Sequence, residues 1–344
     1  MRPGKSLSFG ATLKSHHLNW RWLGVITGLV LALVLLHESA AQSLWTVVPL
    51  QDARRTGTFR NPRLNESSGV ISSRLQPGVL WSFDDSGGPV QIFATDTLGR
   101  DLGSFSVRGA RNRDWEAISS GPCGTTDCLY LADTGDNSEA RESVDIYRLP
   151  EPSVGKPARI LVAAERLRVR YPDRPRDVEA LFVDGGGAMH LISKGRTQGF
   201  VHYRIPASSW SRHSVVAESL GTLPIEREDG LEGLVTDAAL SPDGRRVAVR
   251  TYQAVYLFDV TKDGALRPSG FACSLGGLEL QGEGVAWLDE ATLVFTSEGL
   301  LGFPGTISAG GCAPVRPGAF EGRKLAPGVR FRSPDTSIGL GAWM

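Results

Sequence analysis

After residue 41 the chain repeats one pattern of apolar and polar positions. A polar or acidic residue opens a short apolar run, a turn follows, and a second apolar run ends in a polar cluster. Asp114-Trp-Glu-Ala-Ile-Ser-Ser120 leads to Cys128-Leu-Tyr-Leu-Ala-Asp-Thr-Gly-Asp-Asn137, and Asp177-Val-Glu-Ala-Leu-Phe-Val183 leads to His190-Leu-Ile-Ser-Lys194. The same order holds for Val235–Leu240 with Val247–Tyr252, for Gly282–Trp287 with Leu293–Glu298, and for Glu66–Ile71 with Val79–Ser86. Short continuous apolar runs bounded by turn residues predict strands covered on both faces.

With Ser68, Glu116, Glu179, Asp237 and Glu283 taken as equivalent, the spacings are 48, 63, 58 and 46. They bracket the roughly 40 to 50 residues of a four-stranded propeller blade, with two blades lengthened by insertions. Glu179 to Ser193, Asp237 to Thr251 and Glu283 to Ser297 are each 14 residues. The expected fold is therefore an all-β propeller of four-stranded antiparallel sheets. Five blades fit the length, with a sixth possible in the unpatterned stretch 318–344. Later strands are expected at Val90–Ala94, Leu102–Val107, Val144–Leu149, Arg159–Tyr171, Phe200–Ile205, Ser214–Leu223 and Ala254–Asp259. The run Leu44–Leu50 has no blade of its own and is expected at the outer edge of the blade begun by Glu283.

The first 41 residues read differently. Arg2, Lys5, Lys14 and Arg21 precede an uncharged apolar run, Trp22–Leu36, and Ser39-Ala-Ala41 supplies small residues for signal peptidase. This predicts export with cleavage after Ala41; an uncleaved membrane anchor is the alternative. The 15 residues of the run fall short of the about 20 that span a bilayer. No other apolar run of spanning length follows, so residues 42–344 are expected to form a soluble, monomeric propeller, periplasmic or extracellular.

The 344 residues carry 37 basic and 37 acidic side chains, which leaves no positive excess for nucleic acid. Four cysteines in an exported chain permit disulfides. Cys123 and Cys128 flank a four-residue turn, which leaves Cys273 and Cys312 to join neighbouring blades.

In a propeller the first strand of each blade lines the central channel, so matching positions converge on one axis. Glu66 or Ser68, Glu116, Glu179, Asp237 and Glu283 are expected to face one another there. Asp84, Asp85, Asp133, Asp136, Asn137, Lys194, Arg250, Tyr252 and Glu298 are expected around the mouth. Crowded carboxylates repel unless a cation joins them, and an oxygen-rich ring suits Ca²⁺. Glu116, Glu179, Asp237 and Glu283 are the candidate ligands. Two other fates remain open: hydrogen bonds to backbone amides or pairing with Arg113, Arg176 and Arg250, and direct catalysis.

Leu80–Gly88, Asp114–Ile118, Asp133–Asn137, Val235–Ala239 with Ser241-Pro-Asp-Gly244, and Gln281–Val285 together resemble a family of exported bacterial β-propeller proteins. The Ser-Pro-Asp-Gly turn is similar to that of TolB-like propellers. A remoter likeness, through Glu116, Glu179 and Glu283, is to phytase-like and calcium-dependent nucleotidase propellers. That likeness implies Ca²⁺ and phosphate in an acidic channel, with Lys194, Arg196 and Arg250 as the phosphate-binding candidates. The two functions to compare are a binding or scaffold propeller engaging a ligand or partner, and a Ca²⁺-dependent phosphoester hydrolase.

Overall fold

Two strands come first in the chain and close the ring last: β1 (Thr46–Pro49) and β2 (Gln51–Thr58). The first blade follows as β3 (Ser67–Ser72), β4 (Leu80–Asp84), β5 (Gln91–Thr95) and β6 (Asp101–Arg108). The second comprises β7 (Trp115–Cys123), β8 (Thr126–Asp133), β9 (Val144–Pro150) and β11 (Glu165–Arg170); the short β10 (Leu161–Ala163) precedes β11 in the chain but lies in the sheet of the first blade. The third is β12 (Val178–Val183), β13 (Met189–Ser193), β14 (Phe200–Ile205) and β16 (Glu218–Leu223); the short β15 (Ser214–Val216) precedes β16 in the chain but lies in the sheet of the second blade. The fourth is β17 (Val235–Leu240), β18 (Arg246–Thr251), β19 (Ala254–Val260) and β20 (Leu266–Ser274). The fifth is β21 (Gly282–Trp287), β22 (Thr292–Ser297) and β23 (Thr306–Gly311), completed by β2.

This computed structural model describes residues 43–155, 161–197, 199–225, 233–279 and 281–312. The expected leader, and the C-terminal stretch 318–344 with any blade in it, lie outside those residues. All the strands belong to the unit that begins at Trp45. Apart from a 3₁₀ turn at Ala207–Ser211, the described residues form only strands and loops. Among them no helix is long and apolar enough to cross a membrane.

Inner strands β3, β7, β12, β17 and β21 each lie against the inner strand of the next blade, and β21 lies against β3. The ring thus closes with five blades. Because each inner strand is covered on both faces, β12 (Val-Glu-Ala-Leu-Phe-Val) is buried throughout. An outer strand such as β11 alternates instead, with Leu167 and Val169 inward and charged residues outward. One apolar cluster fills each junction. Trp81, Phe83 and Trp115 meet between blades one and two, and Tyr130, Leu181 and Tyr203 between two and three. Phe182 and Phe258 meet between three and four, Leu257, Trp287 and Phe295 between four and five, and Phe93 and Ile307 between five and one.

The blades are also stitched at their rims. The runs Arg159–Tyr171 and Ser214–Leu223, each expected as one strand, break into two strands in two different sheets. β10 pairs in parallel with β6 of blade one before β11 joins blade two. β15 pairs in parallel with β11 before β16 joins blade three. The N-terminal run obeys the same rule, which corrects its expected place. Thr46–Pro49 pairs in parallel with β20 of blade four, and the polar segment Gln51–Thr58 completes blade five against β23. As an edge strand, β2 needs no apolar outer face, so its composition hid it. Where β2 leads into blade one, Gly99 has φ of 76°, and an added Cβ would lie 1.8 Å from the Thr58 carbonyl oxygen.

The expected disulfides form. Cys123–Cys128 spans the β7–β8 turn, and Cys273–Cys312 ties blade four to blade five. Such bonds belong to an oxidising compartment.

Among the described residues blade three and blade four share no lapped strand, and Trp45 bridges them. Its ring meets Tyr256 and Phe258 edge-on at 5.0 Å, and its Nε1 donates to the Pro224 carbonyl at 2.8 Å. Trp45→Ala is expected to destabilise the protein by about 3–5 kcal/mol, measured by urea unfolding. A loss below about 1 kcal/mol would show that the indole does not hold this junction.

Candidate functional site

The site rests on an irregularity that all five inner hairpins share. Beside the polar end of each inner strand the ladder slips by one residue, between Ser67 and Val70, Trp115 and Ala117, Val178 and Ala180, Val235 and Asp237, and Gly282 and Gly284. The extra residue of such a bulge leaves the pairing and turns its side chain out of the pleat's alternation. The equivalent positions are therefore Ser68, Glu116, Glu179, Thr236 and Glu283.

Asp237 is thus one residue out of register, which corrects the repeat as read from sequence. Val235 pairs with Thr251, so the step from the bulge to that residue is 15 in blade four. The Ser241-Pro-Asp-Gly turn accommodates the added residue. Asp237 is wholly buried, and its carboxylate accepts the amides of Ala238 at 2.8 Å and Val285 at 2.9 Å. Thr236 at the true position donates its hydroxyl to the Glu283 carbonyl at 2.8 Å.

Blades one to three bring the acids together. Carboxylate oxygens of Asp85, Asp114 and Glu116 lie within 4.8 Å of one another, and so do those of Glu116, Asp177 and Glu179. Glu116 belongs to both groups. It is 8% exposed, and its carboxylate has no hydrogen-bond or ion-pair partner among the described residues. Gly135 makes room for it, since a Cβ there would lie 2.3 Å from Glu116 Oε1 and 2.4 Å from Asp114 Oδ2. Beside this pair of groups the Lys194 Nζ donates to Glu179 Oε1 at 2.6 Å, and the Tyr252 hydroxyl donates to Glu283 Oε1 at 3.0 Å.

The surrounding residues hold this cluster in place. Arg196 Nε donates to Asp177 at 2.6 Å and its Nη2 reaches Asn137. The Asp136 amide donates to the other oxygen of Asp177 at 2.9 Å, while its carboxylate accepts the Arg141 amide at 2.6 Å. Asp133 pairs with Arg141 at 3.1 Å and accepts the Asp114 amide at 3.1 Å. Asp84 accepts the amides of Asn65 and Glu66 at 3.0 and 2.8 Å. Glu298 accepts the Gln281 side-chain amide.

Arg250, expected at the mouth, is instead 1% exposed. Its guanidinium donates to the carbonyls of Gly284 at 2.6 Å and Thr296 at 3.2 Å, and to Glu279 at 2.7 Å. A guanidinium has five donors in a fixed fork, and here it joins blade four to blade five. The expected site set also omits Asp114 and Asp177. The signal that finds them is the recurrence of Asp-x-Glu at the mouths of blades two and three, where the bulge brings both carboxylates to one side.

Burial is the first cause of every upward shift among these acids. It pushes Glu116 well above the usual carboxylate range, with Glu179 adding repulsion against the pull of Lys194. Glu179 rises to about 8 although Lys194 opposes the effect, and Glu283 rises too. Glu298 is pushed up to about 8 by burial and then by Glu283, Asp85 and Glu66. Asp114 is raised by burial and by Asp85 and Asp177. Burial pulls Lys194 down, yet Glu179 and Glu116 together hold it above its ordinary value. One lysine does not neutralise this many carboxylates.

No protein-family model matches the chain, and no curated protein matches it. Among solved structures the chain is similar to the PQQ-bound aldose sugar dehydrogenase of Streptomyces coelicolor. The identity is 14% and the TM-score 0.44, over 76% of this chain and 99% of that one. It is also similar to selenomethionine-substituted virginiamycin B lyase of Staphylococcus aureus, at 10% identity and TM-score 0.34, over 70% of this chain and 65% of that one. Neither supplies a residue role here.

The raised acids set a pH dependence. A carboxyl whose folded pKa lies above its unfolded value adds stability that is complete below the unfolded pKa. That contribution is lost as pH rises through the folded pKa. For Glu179 the window runs from 4.5 to about 8. Metal-free protein is therefore expected to lose stability between pH 5 and pH 8. Glu116→Gln, which stays neutral, should lose less, by about 1.4 kcal/mol per pH unit that Glu116 is shifted. Urea unfolding at the two pH values measures the difference, and parallel pH profiles would refute it.

Proposed function

We propose that this chain is an exported ligand-binding propeller whose axial mouth holds Ca²⁺ and offers it to an exogenous ligand. The observation that carries the reading is Glu116, a buried carboxylate without a partner, shared by two groups of acids drawn from three blades. An unpaired buried carboxylate is costly unless it is protonated or joined by a cation. The donors are all carboxylate oxygens, with no thiol or imidazole among them. That composition favours a hard cation over Zn²⁺. Asp85, Asp114, Glu116, Asp177 and Glu179 come from separate loops and strand ends, which suits the flexible six- to eight-oxygen shell of Ca²⁺ better than the strict octahedron of Mg²⁺. Five side chains leave coordination positions for a ligand. Lys194, Arg196 and Tyr252 border the cluster and favour an anionic group on that ligand.

A second reading rests on those basic neighbours. A bound Ca²⁺ can polarise a phosphoryl oxygen, Lys194 and Arg196 would hold a phosphate, and Glu116 would accept a proton from water. This is phosphoester hydrolysis on the same residues.

Calcium at about 100 times its Kd should stabilise the protein by about 2.7 kcal/mol, or roughly 5 °C in Tm. The gain should vanish with chelator and with Glu116→Gln. An identical melt in calcium and in chelator ends the calcium reading. The hydrolase reading expects turnover of a phosphate-ester panel that needs calcium and falls at least about 100-fold in Glu116→Gln. Equal background rates in both proteins end it.

A further inference from the structure

The loop between the second and third strands opens on the mouth face in every blade, and in four of them it is polar. Blade one has Asp-Asp-Ser-Gly-Gly, blade two Thr-Gly-Asp-Asn-Ser-Glu, blade three Lys-Gly-Arg-Thr and blade four Tyr-Gln. In blade five it is Gly299-Leu-Leu-Gly-Phe-Pro-Gly305. Leu301 is 89% exposed and Phe303 74%, with Leu300 also at the surface.

Backbone hydrogen bonds define the shape of this loop. Leu300 and Phe303 exchange two backbone hydrogen bonds of 3.0 Å, and φ is 55° at Leu301 and 83° at Gly302. Two positive φ values in a two-residue connection describe a type I′ turn, whose first position favours Asn or Gly. A leucine there is strained and sits in water. Neither local propensity nor burial within the chain accounts for it. The base is fixed as well: the Gly299 amide donates to the Asn65 carbonyl at 2.7 Å, beside Glu66. The amides of Asn65 and Glu66 in turn donate to Asp84, next to Asp85, at 3.0 and 2.8 Å, so the apolar tip rises from the acidic mouth.

The geometry points to this turn as a membrane tip: with Ca²⁺ in the mouth, the face docks on an anionic phospholipid surface. Leu301 and Phe303 enter the bilayer interface, while lipid phosphate oxygens fill open positions on the cation. This inference rests on the calcium reading of the mouth. Two facts select this occupant. A single turn with two or three apolar side chains is far smaller than the surface a stable protein interface buries, whereas shallow insertion of a few apolar groups is how peripheral proteins engage lipid. Acids surround the tip, so an anionic surface is repelled without the cation and attracted with it; the charge match requires calcium. The C-terminal end of the described chain lies elsewhere. Thr306 beside the turn pairs with Thr58, and the other end of the same ladder pairs Gly311 with Gln51. Cys312, next to Gly311, therefore lies at the end of this ladder remote from the tip.

The test uses the full exported chain with vesicles of phosphatidylcholine alone and of phosphatidylcholine mixed with phosphatidylglycerol. Calcium binding is followed separately by titration calorimetry. The wild type is expected to sediment with the mixed vesicles in calcium, at least tenfold more than in chelator or with phosphatidylcholine alone. The pair Leu301→Asn and Phe303→Ser puts a favoured residue into the turn and removes the apolar surface. It should keep calcium binding and Tm but lose sedimentation at least tenfold. Calcium binding without sedimentation of the wild type overturns the membrane tip and leaves the calcium reading standing. So does sedimentation that the paired variant retains. Absence of calcium binding overturns both.

Discussion

The one-residue bulge at the start of each inner strand is the constraint on which the site depends. Strict alternation would send every second side chain of these strands into the packing between blades, where Trp115, Val178 and Gly282 lie. By inserting an extra residue, the bulge frees Glu116, Glu179 and Glu283 from that alternation and aims them at a common centre. A shift of one residue is enough to reverse a side chain's fate. Asp237 shows this within the same molecule. It sits one position past its bulge and ends as a buried acceptor of two amides, far from any role as a free acid.

That arrangement carries an electrostatic cost, which the ring offsets only in part. Burial raises Glu116, Glu179 and Glu283, and their mutual repulsion adds to it. Lys194 joins Glu179, Tyr252 caps Glu283, and Glu116 is left without a partner. A fold selected for stability alone would replace a lone buried acid with a neutral or apolar residue. Keeping one beside four other carboxylates is the stability–function compromise expected of a binding site. The shell around it is the opposite in character. Asp133, Asp136, Asp177, Arg141 and Arg196 are cross-linked by hydrogen bonds, so the loops bearing Asp114 and Glu116 are held while Glu116 itself stays available.

The inner strands were legible in the sequence because burial on both faces leaves a continuous apolar run, and the polar residue that opens each run marks the mouth. Both disulfides were legible too, one from a short turn and the other from what remained. The rim was harder to read. β2 (Gln-Asp-Ala-Arg-Arg-Thr-Gly-Thr) has no apolar face to betray a strand, since one of its sides is water. The breaks at Ala164 and Ala217 are single residues inside runs with unbroken strand character, and only the neighbouring sheet reveals that the two halves belong to different blades. Asp237 was misplaced because an acidic residue beside the bulge looks like the bulge residue itself, and the longer turn after it kept the apparent spacing constant.

Arg250 shows why matching positions in a repeat do not carry matching duties. It lies within β18 at the level of Ala132, Ile192 and Thr296 in other second strands, and the chain folds the Gly282–Gly284 segment over it. There it serves two carbonyls and Glu279. Blades four and five also hold the Cys273–Cys312 bond and the lapped strand β1. This half of the ring fastens the circle where β2 pairs with β23. Blades one to three, joined mainly by lapped strands and apolar contacts, carry the clustered acids. The asymmetry follows from closure: a ring sealed at one place needs its strongest cross-links there. The clustered carboxylates of Asp85, Asp114, Glu116, Asp177 and Glu179 lie on the blades away from that seam.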